Sequence, residues 1–252
     1  TRTEFERARA SAFAIMGHAT LRRIDAQRSR PTGQCADALD GWAALKKGRA
    51  RKKMKPFAWQ CPTSGLLGDR SYVVPCLESL DDLGEVDFIF RRLSAPRGHA
   101  GSPRHATAWE AGPSTAAHIH TALTELLSGP PLCLEGEELE CFTLHSFKHY
   151  VPELAKALEA RLSLSEPDRE GLGYWAGADD AAGTHAEAAA PPVMTRALRQ
   201  TESMSDRYAH RASAPRQLAI RMSIMAAVRD CVSAWHDGDY LSLVPTKGGF
   251  AE

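Results

Sequence analysis

Phe13, Met16 and Ile24 fall at spacings that place them on one face of a helix, inside a segment, 3–29, rich in Ala, Arg, Glu and Met. Pro31, Thr32 and Gly33 then read as a break, and residues 34–45 as another short helix. Phe57, Ala58 and Trp59 suit a strand, as do Tyr72–Val74 and Val86–Phe90. Between these strands, Pro62–Gly68 reads as a turn-rich loop, and 94–114, dense in Pro and Gly, as a long one. Helical spacing returns over 115–128, where Ile119, Leu123 and Leu126 share a face. It continues over Leu144–Leu162, with an expected kink or restart at Pro152, since proline removes a backbone donor.

Ser165 and Pro167 form a helix-start signal. Residues 176–193 (AGADDAAGTHAEAAAPPV) have the low complexity of a flexible insert. A last amphipathic helix is expected from Pro215 to about Trp235, with Leu218, Met222, Met225, Val228, Val232 and Trp235 on its apolar face. Residues 241–252 read as a tail. The sum is a mainly α fold with a small antiparallel β-sheet (α+β). One domain spans 1–240.

Composition narrows the class. The 252 residues are 43% hydrophobic and 25% charged, ordinary globular values that exclude collagen, coiled coil and wholesale disorder. No apolar run approaches the roughly 20 residues of a membrane-spanning helix, and no secretory leader pattern is visible. The chain opens on Thr1 rather than Met, as an internal piece of a longer protein would. The six cysteines, 35, 61, 76, 133, 141 and 231, form no CxxC pair. That spacing excludes a zinc finger and a secreted disulfide scaffold, and points to free thiols in a reducing, intracellular compartment.

Net charge is zero but segregated. Lys46–Lys55 carries seven basic residues in ten, including Lys46, Lys47, Lys52, Lys53 and Lys55, whereas Glu78–Asp87 carries five acidic ones. Such a basic run is either a solvated face or a phosphate-binding stretch. His145 and His149 stand four apart and face the same way on a helix. As a zinc motif the pair lacks the acid of HExxH, and Lys148 sits in its place. An ammonium beside a divalent cation is unfavourable, so no metal is expected there. His118 and His120 read as surface or helix-end residues.

Thr143–His149 (TLHSFKH), Leu172–Trp175 (LGYW) and Arg207–His210 (RYAH) follow one another in a fixed order. The series resembles the catalytic core of the tyrosine recombinase (phage integrase) family. It looks most like the enzymes of eukaryotic mobile elements such as DIRS-like retroelements and cryptons. The likeness is clearest over 140–236 and faint but continuous from about residue 20.

The resemblance implies a helical catalytic core with a small sheet. It makes Tyr208 the nucleophile, His145 and Lys148 the HxxR pair, and Trp175 the His/Trp donor, although Tyr174 literally follows "LG". The segment Leu21–Gln27 (LRRIDAQ) matches the family's first arginine, with Arg22 the better match and Arg23 next. The basic run stands where the β-hairpin lysine belongs, with Lys52, Lys53 and Lys55 all open. The implied reaction is DNA strand cleavage through a 3′-phosphotyrosyl link, then rejoining. Arginine, lysine, His and Trp donors stabilise the transition state, and no metal or other cofactor is required. The implied partner is double-stranded DNA, with self-association on it, no membrane and no small-molecule substrate. The implied place is the nucleus if the source is eukaryotic.

Two departures bear on activity. Lys148 keeps the charge of the family arginine but lacks its bidentate fork. The step from Trp175 to Tyr208 is 33 residues, far longer than the family's, with the low-complexity segment inside it. Two further readings follow: a catalytically inactive DNA-binding remnant of such an element, and an unrelated helical interaction protein.

Overall fold

A computed structural model describes residues 2–35, 37–43, 57–65, 71–80, 88–172 and 204–238, with backbone alone for 57, 167, 170, 171 and 204–215. Among these residues the fold is mixed α+β and about half helical, with antiparallel sheets of three and two strands. The chain begins with helix α1 (Glu4–His18). It is capped by Thr3, whose hydroxyl accepts from the Glu6 N–H while the Glu6 carboxylate accepts from the Thr3 N–H. Ala12, Phe13, Ile15 and Met16 of α1 are buried and run through the centre of the main core.

A short helix α2 (Arg23–Ala26) leads into strands β1 (Ser29–Gln34), β2 (Ala38–Ala43) and β3 (Phe57–Pro62), paired antiparallel in that order. Two expectations are corrected here. Pro31–Gly33 does not break the chain but forms a bulge in β1, an edge strand where a missing N–H is tolerated. The described residues of the helix expected over 34–45, namely 34, 35 and 37–43, are not helical: Leu39 and Trp42 are buried in β2, where pairing to β1 and β3 overrides local preference. Gly41 faces Trp59 across the β2–β3 ladder, and any Cβ there would run into the indole ring.

Tyr72–Val74 is likewise not a strand. After the bridge between Ser64 and Ser71, Val74–Glu78 forms helix α3, with Pro75 in its first turn. Of the strand expected at 86–90, residues 86 and 87 lie outside the described set. Phe88–Phe90 is a buried turn that leads into β4 (Arg91–Ser94). The supposed loop 94–114 contributes β5 (Ala108–Pro113), which pairs with β4.

Helix α4 (Ala116–Ser128) forms as expected, with Ile119, Leu123 and Leu126 buried and the Thr115 hydroxyl capping the His118 N–H. A short α5 (Gly136–Glu140) precedes α6 (Ser146–Ala157). Helix α6 passes through buried Pro152 and ends only at Leu158, after which α7 (Glu159–Leu162) begins. One lost backbone bond is outweighed by the packing of Val151 and Ala155 on either side. The start signal at Ser165 is real: its hydroxyl donates to the Asp168 carboxylate at 2.6 Å as α8 (Glu166–Leu172) begins.

The last helix, α9 (Met204–His236), starts eleven residues earlier than expected (215 − 204), with Pro215 inside it. Its buried face is also rotated from the expected one. Ile220, Ile224, Met225 and Ala227 enter the core, while Val232 and Trp235 lie exposed, 39% and 61%. The buried positions follow from where α6 and α8 meet α9, which the sequence pattern alone does not specify. All six cysteines are free.

Two buried arginines organise the interior. Arg9, 2% exposed, donates to the Arg91 carbonyl and to Ser114 Oγ (2.8 Å), which ties α1 to the β4–β5 pair. Burial lowers its pKa to about 10. Arg221 of α9, also 2% exposed, donates to the His18 carbonyl (2.6 Å), Thr20 Oγ1 (3.2 Å) and the Leu172 carbonyl (3.0 Å). The chain leaves α1 through Thr20, a β-branched residue at φ 53°. The Thr20 hydroxyl donates to the Leu172 carbonyl at 2.7 Å.

Arg221→Met is therefore expected to cost about 2 kcal/mol or more, because it strands the buried His18 carbonyl and takes one donor each from Thr20 Oγ1 and the Leu172 carbonyl, which keep their bond to each other. Urea unfolding measures it, and a cost under about 1 kcal/mol would contradict this role. A pH effect follows from the same place. His18 is buried against Tyr72 (4.5 Å between ring centres) and Tyr150 (5.7 Å), and burial, with Arg221's charge second, lowers its pKa from 6.5 to about 4. Between those values the unfolded chain takes up a proton that the folded chain refuses. The stability His18 allows at neutral pH thus declines as pH falls from 6.5 to about 4, a loss on the order of 3 kcal/mol. His18→Phe, which keeps a ring and cannot titrate, should flatten that decline in denaturation curves taken across this range. An unaltered slope would assign the acid sensitivity to other groups.

Candidate functional site

The turn at Thr20 aims the chain directly into the candidate site. Leu21 N–H bonds back to the Met16 carbonyl (2.9 Å) and Thr20 N–H to the Gly17 carbonyl (3.0 Å), a closed helix end. Arg22 follows at once as the residue capping α2, exposed, with its carbonyl accepting from the Asp25 and Ala26 N–H groups (2.9 Å each). The Asp25 backbone is held from the other side by the Ser29 hydroxyl, 2.8 Å from its carbonyl.

Helix α6 brings the second half. Phe147 stacks on Phe13 of α1 (5.5 Å between ring centres), and Tyr150 meets His18. With these residues fixed on α1, Lys148 turns inward and is 6% exposed. Burial lowers its pKa. The charge of Arg22 pushes the same way, and that of Asp25 opposes both. The Asp25 carboxyl is correspondingly raised by its own burial, against the pull of Arg22's charge, a bond from Arg22's backbone N–H, and Lys148. Arg22, Asp25 and Lys148 thus form one electrostatic cluster, assembled from two distant parts of the chain.

His145 is the residue preceding α6 and is exposed. Its Nε2 lies 3.0 Å from His149 Nε2, with the rings edge to face. It stands one turn before Lys148, but exposed where Lys148 is buried. The structure therefore brings Arg22 into electrostatic reach of Lys148, while His145 neighbours Lys148 only along α6. Arg23 is exposed, and Arg22 is the arginine whose charge acts on Lys148.

Tyr208 lies in the first turns of α9, where only the backbone is described. Trp175 and Tyr174, the insert at 176–193, and Lys46, Lys47, Lys52, Lys53 and Lys55 lie outside the described residues. In sequence, the basic run is the connection between the paired strands β2 and β3.

Asp25 is the residue that the sequence reading passed over. Its signal was an acid three positions after Arg22 at the start of a helix, inside the very segment singled out for its arginines. The cluster holds two cations and one carboxylate, a net positive charge of the kind that attracts an anion. Asp25→Asn removes the charge that favours the ammonium, so the Lys148 pKa is expected to fall further. The Cε chemical shift of Lys148, followed against pH, reads this directly. A pKa unmoved by the substitution would separate the two side chains.

Among the described residues no helix is long and apolar enough to cross a membrane. No protein-family model matches the chain, no curated protein is significantly similar to it, and no solved structure matches it.

Proposed function

We propose that this chain is the catalytic region of a DNA breaking-and-rejoining protein of the tyrosine recombinase type, with Tyr208 as nucleophile. The observation that carries the reading is the cluster of Arg22 with Lys148 beside His145. These residues were matched to the family in sequence order, and Arg22, before α2, acts electrostatically on Lys148, in the first turn of α6. The hairpin of β2 and β3 supports it too, because its connection carries the basic run where a phosphate-contacting lysine is expected.

In this reading the Tyr208 hydroxyl attacks a DNA phosphodiester. The bond to the 5′-oxygen breaks, that oxygen takes a proton, and a 3′-phosphotyrosyl link remains. Arg22 and His145 stabilise charge on the non-bridging oxygens, while the basic run grips neighbouring phosphates. A 5′-hydroxyl then attacks the link, restores the phosphodiester and frees the tyrosine. Duplex DNA is the substrate and partner, and self-association on it would pair two cleavage events. One observation favours a second reading, a remnant that binds DNA without turning over: Lys148 is buried and has no guanidinium fork.

A nicked suicide DNA substrate distinguishes the two. The expected result is a covalent protein–DNA adduct that Tyr208→Phe abolishes and Lys148→Arg increases severalfold, since a planar fork grips two phosphate oxygens. An adduct that survives Tyr208→Phe would move the nucleophile elsewhere. No adduct alongside retained DNA binding would establish the remnant, and no DNA binding at low salt would remove both readings.

A further inference from the structure

The exposed histidine pair at the start of α6 has a geometry that the DNA reading does not use. We propose that His145 and His149 together form a two-nitrogen site for a borderline transition-metal ion, Zn2+ or its neighbours, with water in the remaining positions. Their Nε2 atoms converge to 3.0 Å. Two imidazole nitrogens bound side by side to zinc, each about 2.0–2.1 Å from it, stand roughly 2.9–3.4 Å apart. An ion therefore replaces the hydrogen bond between the rings with little movement. The ring that donates from Nε2 shifts its proton to Nδ1, and both lone pairs then face the metal with no net proton change. Four-residue spacing on a helix provides this convergence without help from any other element.

The sequence-level objection was the ammonium of Lys148 between the two ligands. That side chain is buried, and the Asp25 carboxylate opposes part of its charge, whereas His145 is exposed and His149 half-buried. The pair opens outward, where water can complete the coordination sphere. Two histidines by themselves make a two-point, exchangeable site, and among the described residues no group of three or more His, Cys, Asp or Glu gathers. Imidazole donors suit Zn2+, Cu2+ and Ni2+ and disfavour Mg2+ and Ca2+. The site stands on this geometry whether or not the chain cleaves DNA.

The test is a titration of the full chain with Zn2+, above the ordinary histidine pH range, followed by imidazole 15N resonances and by calorimetry. The ten histidines of the chain make assignment by variant necessary. The expected result is that the His145 and His149 resonances move first and together, while Mg2+ moves neither. His145→Ala and His149→Ala should each weaken zinc binding about tenfold or more, and the double variant no further, because one ligand alone forms no chelate. His149→Gln, which keeps a polar side chain on the helix, should behave as His149→Ala does, and far-UV circular dichroism verifies the fold of each variant. Unchanged affinity in the folded single variants, or other histidines responding before this pair, would overturn the proposal.

Discussion

The arrangement turns on one buried guanidinium. Arg221 ties the end of α1, the Thr20 turn and the end of α8 into a single node. A cation with so little exposure is costly unless its donors are filled, and here they meet two carbonyls and a hydroxyl, all buried. The node also holds Thr20 in a left-handed conformation that a β-branched residue avoids when free. Without Arg221 and the Leu172 carbonyl, nothing in the local sequence favours that turn, which Gly or Asn would make more readily.

What the turn accomplishes is direction. Two residues after Thr20 comes Arg22, so the angle at which the chain leaves α1 decides where that arginine stands. Helix α6 is fixed to the same α1 through Phe13–Phe147 and His18–Tyr150. Both halves of the charged cluster are thus referred to one rigid element, Arg22 through the Arg221 node and Lys148 through ring packing. This is the ordinary requirement for a site of like charges: the cations repel, so packing elsewhere must hold them together. Asp25 reduces the repulsion without cancelling it, and the surplus positive charge stays available to an anion.

Legibility from sequence followed the range of the interactions. Helices α4 and α8 were readable, because Thr115 and Ser165 cap them locally; the stripe expected over 3–29 was only part right, since Phe13 and Met16 lie on α1 but Ile24 falls in α2, beyond the turn at Thr20. The strands β1, β2 and β5 were not, because pairing made them: Pro31 and Gly33 carry a local signal for a break that the β2 ladder overrides with a bulge. The tail of α9 misled in the opposite way, since Val232 and Trp235 keep the helical apolar pattern beyond the last neighbour able to bury them. Of the residues that ordered motifs single out, Arg22 and Lys148 come within each other's electrostatic reach. Asp25 was missed because it is informative only once its charge is seen to act on Lys148, an interaction that no linear pattern encodes.

The identity of residue 148 then takes on a meaning that substitution rules alone do not give. An arginine there would stay charged whatever its surroundings. A lysine responds to them, and burial together with Arg22 moves this one toward giving up its proton, while Asp25 keeps the shift in check. Under the proposed reading, what the site loses in bidentate grip on the phosphate it gains in a side chain able to hand a proton to a departing oxygen. One buried environment therefore sets the acid–base character of the side chain that faces α1, while the histidines on the outer face of α6 stay with solvent.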